Sequence, residues 1–265
     1  MVDKKSKIVS FGDSFIFGSE IEGNYDGSAG WPGIAAKKLG KDFVSKASPG
    51  SSNSSICRRV LDYYSDPNNS NDLAVINWTW SHRWAYFINK FDLNTWINFG
   101  PVKAKNPFAE LQEIENIDLK KNKFSEKFIK KTYSCGPFLK DQHYQKNLQE
   151  MYIEYISDNQ LMNKFNSLQS LYCTTAFLLT NEIKFLQTNL DEELFESKWF
   201  CDGYINELQK YILPHMNSFD GLNFLDWSRE KNFKITKPGW HPLEDAHHAA
   251  AEYWLPTYKK LLNID

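Results

Sequence analysis

Short apolar runs alternate with segments of helical spacing along the first eighty residues. Residues 7–11, with Ile8, Val9 and Phe11, read as a buried strand that stops at the turn composition Gly12-Asp13-Ser14. A loop rich in glycine (Gly18, Gly23, Gly27, Gly30) leads to residues 31–40, where Pro32 near the start and Gly40 at the end predict a helix. Residues 43–46 predict a second strand, closed by Ser48-Pro49-Gly50-Ser51-Ser52-Asn53. Ile56, Val60, Leu61 and Tyr64 carry helical spacing, and residues 72–78 predict a third strand.

The pattern changes over residues 84–160, where aromatics are scattered (Trp84, Tyr86, Phe87, Phe91, Trp96, Phe99), a basic run covers Lys120, Lys121 and Lys123, and no clean strand stands out. The expectation is a single domain over 1–265 with a largely helical insertion at about 84–160, after the third strand. Two roles stay open for it: a lid or substrate wall over that strand's loop, or a decoration covering apolar surface. The doubly wound pattern then resumes, with Leu161, Phe165, Leu168, Leu171 and Tyr172 on a helix and a strand at 183–187. A helix at 204–212, a short element at 224–227 and a terminal helix at 242–262, which Pro256 should kink or break, complete the chain. Strands alternating with helices predict an α/β fold, a parallel sheet with helices on both faces and ligands at the C-terminal ends of the strands.

Composition narrows the function. A formal net charge of -2 provides no basic field to gather nucleic acid or anionic lipid, so neither is an expected partner. No run of about 20 apolar residues occurs, and residues 1–7 precede only a brief apolar stretch, so no signal peptide or membrane span is expected and the chain reads as cytoplasmic or otherwise soluble. Cys57, Cys135, Cys173 and Cys201 form no CxxC pair and lie at no zinc-finger spacing, so reduced thiols are expected and no metal. Aromatics make up 15% of the chain, an excess that fits core packing together with stacking surfaces for sugars or a partner.

A serine hydroxyl becomes a useful nucleophile only when a base within hydrogen-bond reach takes its proton and donors already face the oxyanion that forms. Ser14 follows a strand directly, with Gly12 two positions earlier, which suits a tight turn presenting Oγ. Gly50 follows the second strand, where the lack of a side chain lets an N–H approach a substrate oxygen. Gly239-Trp240-His241-Pro242 puts a histidine just before a helix whose first position would be Pro242, with Glu244 and Asp245 in the favourable first turn. Each has a plainer reading, as ordinary turn or helix-entry residues.

Together these segments resemble a family. Phe11-Gly12-Asp13-Ser14-Phe15 resembles the first motif of the SGNH/GDSL hydrolases, Ser48-Pro49-Gly50-Ser51-Ser52-Asn53 their second, and His241-Pro242 followed by Glu244-Asp245-Ala246-His247 their last. The resemblance covers roughly the first eighty and the last hundred residues. It implies a three-layer, flavodoxin-like SGNH-hydrolase fold, Ser14 as nucleophile, His241 as base, and the N–H groups of Ser14 and Gly50 as oxyanion donors, with no cofactor.

The chain departs from the family pattern twice. The third motif, Gly-x-Asn-Asp, is replaced by Asn77-Trp78-Thr79-Trp80-Ser81-His82; an ungapped match puts Ser81 at the oxyanion Asn, and a small shift would put Thr79 or Asn77 there. The Asp that normally stands three residues before the His is Pro238. The enzyme then works as a Ser-His dyad, or a backbone carbonyl or distant carboxylate such as Asp226 orients His241, or the site is impaired. Asp245-Ala246-His247-His248 also spells Asp-x-x-His, making His248 a rival base, but His241 is preferred because it precedes the helix. His82, His143 and His215 are isolated and read as structural or exposed; Arg83 is read as a surface residue, with contact to an anionic substrate group at the same edge as the alternative.

The expected activity is a serine esterase or deacylase acting through an acyl-serine intermediate on a small-molecule or carbohydrate ester, possible acyl groups on a glycan included. The alternatives are an acyltransferase using the same Ser-His pair and a non-catalytic binding or structural module. The oligomeric state is left open.

Overall fold

A computed structural model describes residues 6–90, 93–101, 132–135, 151, 159–196, 203–236 and 240–264. In chain order the elements are β1 (Ile8–Phe11), α1 (Ser14–Phe17), α2 (Trp31–Lys38), β2 (Phe43–Ser45), α3 (Asn53–Tyr64), β3 (Leu73–Trp78), β4 (Trp84–Lys90), β5 (Leu93–Pro101) and β6 (Thr132–Cys135). They continue as α4 (Gln160–Thr180), β7 (Phe185–Asn189), α5 (Gly203–Ile212), α6 (Phe224–Glu230) and α7 (Glu244–Leu262).

Strands β2, β1, β3 and β7 form one sheet in that order, and every pairing is parallel. The parallel arrangement explains why β1 and β3 are unbroken apolar runs: both faces are covered, so both phases of the period-2 alternation must be apolar. Ile8, Leu73 and Val75 pack on one face with Trp31, Ile34, Phe224, Ala250 and Trp254 from α2, α6 and α7. Val9, Phe11, Ala74, Ile76 and Trp78 pack on the other with Ile56, Val60, Leu168, Leu171 and Ile205 from α3, α4 and α5. Trp31 and Trp78 are fully buried, one on each face, and truncating either to Ala would cost about 3–5 kcal/mol.

The insertion differs from expectation. Among the described residues of 84–160, β4, β5 and β6 form a separate antiparallel sheet in that order, with Trp84 opposite Phe99 and Phe99 opposite Ser134. Over these three strands the helical expectation is corrected, whereas 102–131, 136–150 and 152–158 lie outside the described residues. Its sequence is rich in aromatic and β-branched residues (Tyr86, Phe87, Ile88, Thr95, Trp96, Ile97), which favour strands, but their order lacks the strict alternation that announces one.

The last helix also differs in detail. It starts at Glu244 with Leu243 as N-cap, so Pro242 is not its first residue; Pro242 instead forms an antiparallel bridge with Ile235. Pro256 lies inside α7 without breaking it. Among the described residues no helix is long and apolar enough to cross a membrane.

Candidate active site

The site forms at the C-terminal ends of β1, β2 and β3, where three loops meet. Gly12 turns the chain after β1 with φ +154°, and a Cβ there would lie 2.5 Å from Ile16 Cγ2 and 2.7 Å from the Asn77 carbonyl oxygen. Only glycine fits between the strand and the turn of helix it feeds. Asp13 caps that turn, its Oδ1 accepting the Phe15 N–H at 3.0 Å. Ser14 is thus the first residue of α1, and its N–H is among the donors that a helix start leaves without an intrahelical acceptor. Its side chain is buried at the floor of the edge.

Beneath Ser14 lies a polar network that sequence reasoning missed. Asp13 is 0% exposed, and its Oδ2 accepts from Thr79 Oγ1 at 2.8 Å and from Arg83 Nη1 at 2.7 Å. Arg83 is 9% exposed, and its guanidinium lies over the Trp80 ring at 4.8 Å, so it is a buried ion-pair partner and the reading of it as a surface residue is corrected. A buried pair of this kind is tolerated because each oxygen of the carboxylate has a donor. On the other side, Arg59 Nη2 donates to the Gly12 carbonyl at 3.1 Å and to Ser51 Oγ at 2.6 Å, tying the turn that carries Ser14 to the loop that holds Gly50. The Ser48 N–H reaches the same Gly12 carbonyl at 3.0 Å. Gly50 is buried in that loop with φ +76°, a left-handed turn.

Of the three residues considered for a third oxyanion donor, Thr79 and Ser81 are engaged elsewhere. The single hydroxyl proton of Thr79 goes to Asp13, and its backbone N–H and carbonyl are clamped by Asn53 Oδ1 and Nδ2, both at 2.9 Å. The second Nδ2 proton of Asn53 goes to Ser167 Oγ at 3.1 Å. Ser81 turns to Asp191, donating its N–H to Oδ2 at 2.7 Å and engaging the same carboxylate with its side chain. Burial pushes the Asp191 carboxyl above its ordinary range, against these hydrogen bonds. Asn77 Oδ1 accepts from Thr188 Oγ1 at 2.8 Å, whereas its Nδ2 is buried without a partner.

His241 lies on a clasp. Its N–H donates to Thr236 Oγ1 at 3.1 Å, its carbonyl accepts the Thr236 N–H at 3.0 Å, and the Ile235–Pro242 bridge continues the pairing. The imidazole packs on Phe15, the neighbour of Ser14, with ring centroids 4.8 Å apart. Nδ1 lies 3.4 Å from Glu20 Oε2, and the side chain is 14% exposed. Burial lowers its pKa from the ordinary histidine value, with Arg83 acting in the same direction and Glu20 and Asp13 opposing. The ring is thereby kept neutral near pH 7, the state a general base requires. Among the described residues no hydrogen bond joins Ser14 Oγ to His241; the structure brings them to one edge through Phe15.

The other candidates fall away from this edge. Asp226 accepts from Asn223 Nδ2 at 2.7 Å and pairs with Arg229 at 2.6 Å, a first-turn carboxylate of α6, whose N-cap is Asn223. His248 is half-exposed and faces Glu244 of its own helix. His247 is fully buried, its Nδ1 accepting the Trp31 N–H at 3.1 Å. Pro238, Gly239, His143 and Cys201 lie outside the described residues. Glu20 was not singled out by sequence: nothing in a glycine-rich loop marks one of its carboxylates as the neighbour of a histidine near the other end of the chain.

No family model and no curated protein matches the chain. Among solved structures it is similar to TesA (14% identity, 97% of this chain and 99% of that one, TM-score 0.48). It is also similar to the psychrotrophic esterase EstA from Pseudoalteromonas sp. (10% identity, 97% and 99%, TM-score 0.47). The chain is likewise similar, over 96% of its length and 99% of the other's, to a member of the lipolytic protein G-D-S-L family from Veillonella parvula (11% identity, TM-score 0.41).

Proposed function

We propose that the chain is a serine hydrolase cleaving an ester on a small or glycan-borne substrate, with Ser14 as nucleophile and His241 as base. The observation that carries this reading is the packing of the His241 ring on Phe15, beside Ser14, with the His241 backbone held in place by the Thr236 clasp. With Nδ1 turned to Glu20, Nε2 is the nitrogen left for Ser14.

In the proposed reaction Ser14 Oγ attacks the ester carbonyl carbon while His241 Nε2 takes the hydroxyl proton. The carbonyl electron pair moves onto oxygen, where the N–H groups of Ser14 and Gly50 receive it. Collapse of the tetrahedral intermediate breaks the C–O bond to the alcohol, which leaves with the proton from His241, and the acyl group stays on Ser14. Water then attacks the acyl-serine, giving its proton to His241, and the second collapse releases the acid and returns the proton to Ser14.

A non-catalytic ligand-binding role is the second reading, favoured by the engagement of Thr79 with Asp13 and of Ser81 with Asp191. Fluorophosphonate labelling followed by p-nitrophenyl acetate hydrolysis separates the two. The hydrolase reading expects labelling that Ser14→Ala abolishes and His241→Ala slows by roughly 10³-fold or more. A native protein that neither labels nor hydrolyses between pH 5 and 9 overturns it in favour of the binding role.

A further inference from the structure

The Nδ1 atom of His241 is buried and makes no aligned hydrogen bond, yet a carboxylate oxygen of Glu20 stands 3.4 Å from it. Such a distance is long for a charge-assisted bond and short for an accidental approach of two side chains from opposite ends of the chain. Catalytic hydrogen bonds are often loose before substrate binds and tighten in the complex.

The backbone supplies a second, independent observation. Glu20 has φ +68°, in a loop where Gly18, Gly23 and Gly27 occupy the same left-handed region at +76°, +76° and +79°. At position 20 the chain carries a long acidic side chain in a conformation that its neighbours reserve for glycine. Trp240, which precedes His241, has φ +57°. Local strain is thus held on both sides of the Glu20–His241 pair, the pattern seen where a side chain must be presented in one direction.

We infer that Glu20 is the positioning residue for His241, holding its Nδ1–H so that Nε2 faces Ser14, and that the acid comes from the nucleophile's own loop instead of from the loop that carries the histidine. This rests on the serine-hydrolase reading for its catalytic consequence, but the pairing itself does not. Around the ring, burial and Arg83 oppose the imidazolium, whereas Glu20 and Asp13 favour it; His247, the other nearby imidazole, is itself held neutral by burial. Glu20 is the partner at Nδ1 and is 37% exposed.

The test compares wild type with Glu20→Gln, Glu20→Asp, Glu20→Gly and Ser14→Ala. Two readouts are followed: p-nitrophenyl ester hydrolysis against pH, and the His241 imidazole titration by NMR. Glu20→Gln should lower kcat by roughly 10²-fold or more with KM within about twofold, since the lost interaction strengthens in the transition state. It should also move the acid limb of the pH profile to lower pH, because removing a negative neighbour lowers the pH at which the imidazole loses its proton. Glu20→Asp should restore part of kcat. Glu20→Gly should keep or raise Tm, because glycine relaxes the left-handed backbone, and still lose activity; this separates positioning from folding.

An unchanged kcat and acid limb in Glu20→Gln, with Ser14→Ala inactive, overturns the inference and leaves the hydrolase reading intact. If the wild type hydrolyses nothing, a downward shift of the His241 titration in Glu20→Gln still supports the pairing while the hydrolase reading fails. An identical titration in the two proteins overturns the pairing as well.

Discussion

Arg83 donates from Nη1 to Oδ2 of Asp13 at 2.7 Å in a position where the carboxylate is fully buried, directly before Ser14 in the chain. One residue therefore caps the helix that starts at Ser14, holds Thr79 and neutralises a guanidinium. Arg83→Met should cost about 3–5 kcal/mol, because it leaves Asp13 buried without its counter-charge. The double variant Asp13→Asn, Arg83→Met should recover a substantial part of that loss. Urea unfolding of Arg83→Met, Asp13→Asn and the double variant measures both, and additive losses would show that the pair is not coupled.

Gly12→Ala should be poorly tolerated. Its Cβ would press against Ile16 Cγ2 at 2.5 Å and the Asn77 carbonyl at 2.7 Å, so the turn that carries Ser14 must move. A loss of about 1–3 kcal/mol is expected. The displaced serine should also label more slowly with a fluorophosphonate than the stability loss alone explains, measured at a temperature where the variant remains folded.

Asn53→Ala removes both ends of the amide clamp on Thr79, which Oδ1 and Nδ2 hold at 2.9 Å each. The Thr79 N–H and carbonyl are then left in a buried environment without their partner. About 2–4 kcal/mol should be lost, since each unsatisfied buried group costs about 1–3 kcal/mol. Chemical denaturation gives the value, and a loss below 1 kcal/mol would mean that water replaces the amide.

Stability should fall on mild acidification. His247 is buried against Trp31, and burial pushes its pKa down to about 3, with nearby His241 acting in the same direction. The folded chain therefore binds fewer protons than the unfolded chain below the ordinary histidine value of about 6.5. The sign follows: stability is full above about pH 6.5 and declines as pH drops from there towards 3. Between pH 7.5 and 5 this histidine alone accounts for about 2 kcal/mol. His82 is also pushed down to about 3 by burial and Arg83, and adds in the same direction. Unfolding free energies at the two pH values test this, and His247→Asn, which retains an acceptor for the Trp31 N–H, should flatten the slope.

Much of the scaffold was legible along the chain. β1 and β3 announce themselves as runs in which every second residue can face a different helix layer, and the structure divides Ile8 from Val9 and Leu73 from Ala74 in this way. The helices at Trp31–Lys38, Asn53–Tyr64 and Gln160–Thr180 follow from local spacing and start signals. The strands β4 to β6 were not legible, because pairing between Phe99 and Ser134 depends on a partner segment and not on a local period.

By itself the sequence determined the parallel α/β scaffold and put Ser14 and Gly50 just past the ends of its first two strands, because hydrophobic period and turn glycines act over a few neighbouring positions. Only the tertiary structure decided which groups meet there. Thr79 and Arg83 meet Asp13, Ser81 meets Asp191, and Glu20 meets His241. Each pairing depends on where separate loops come to rest and on which buried charge needs a partner, and neither is written in any local stretch of chain.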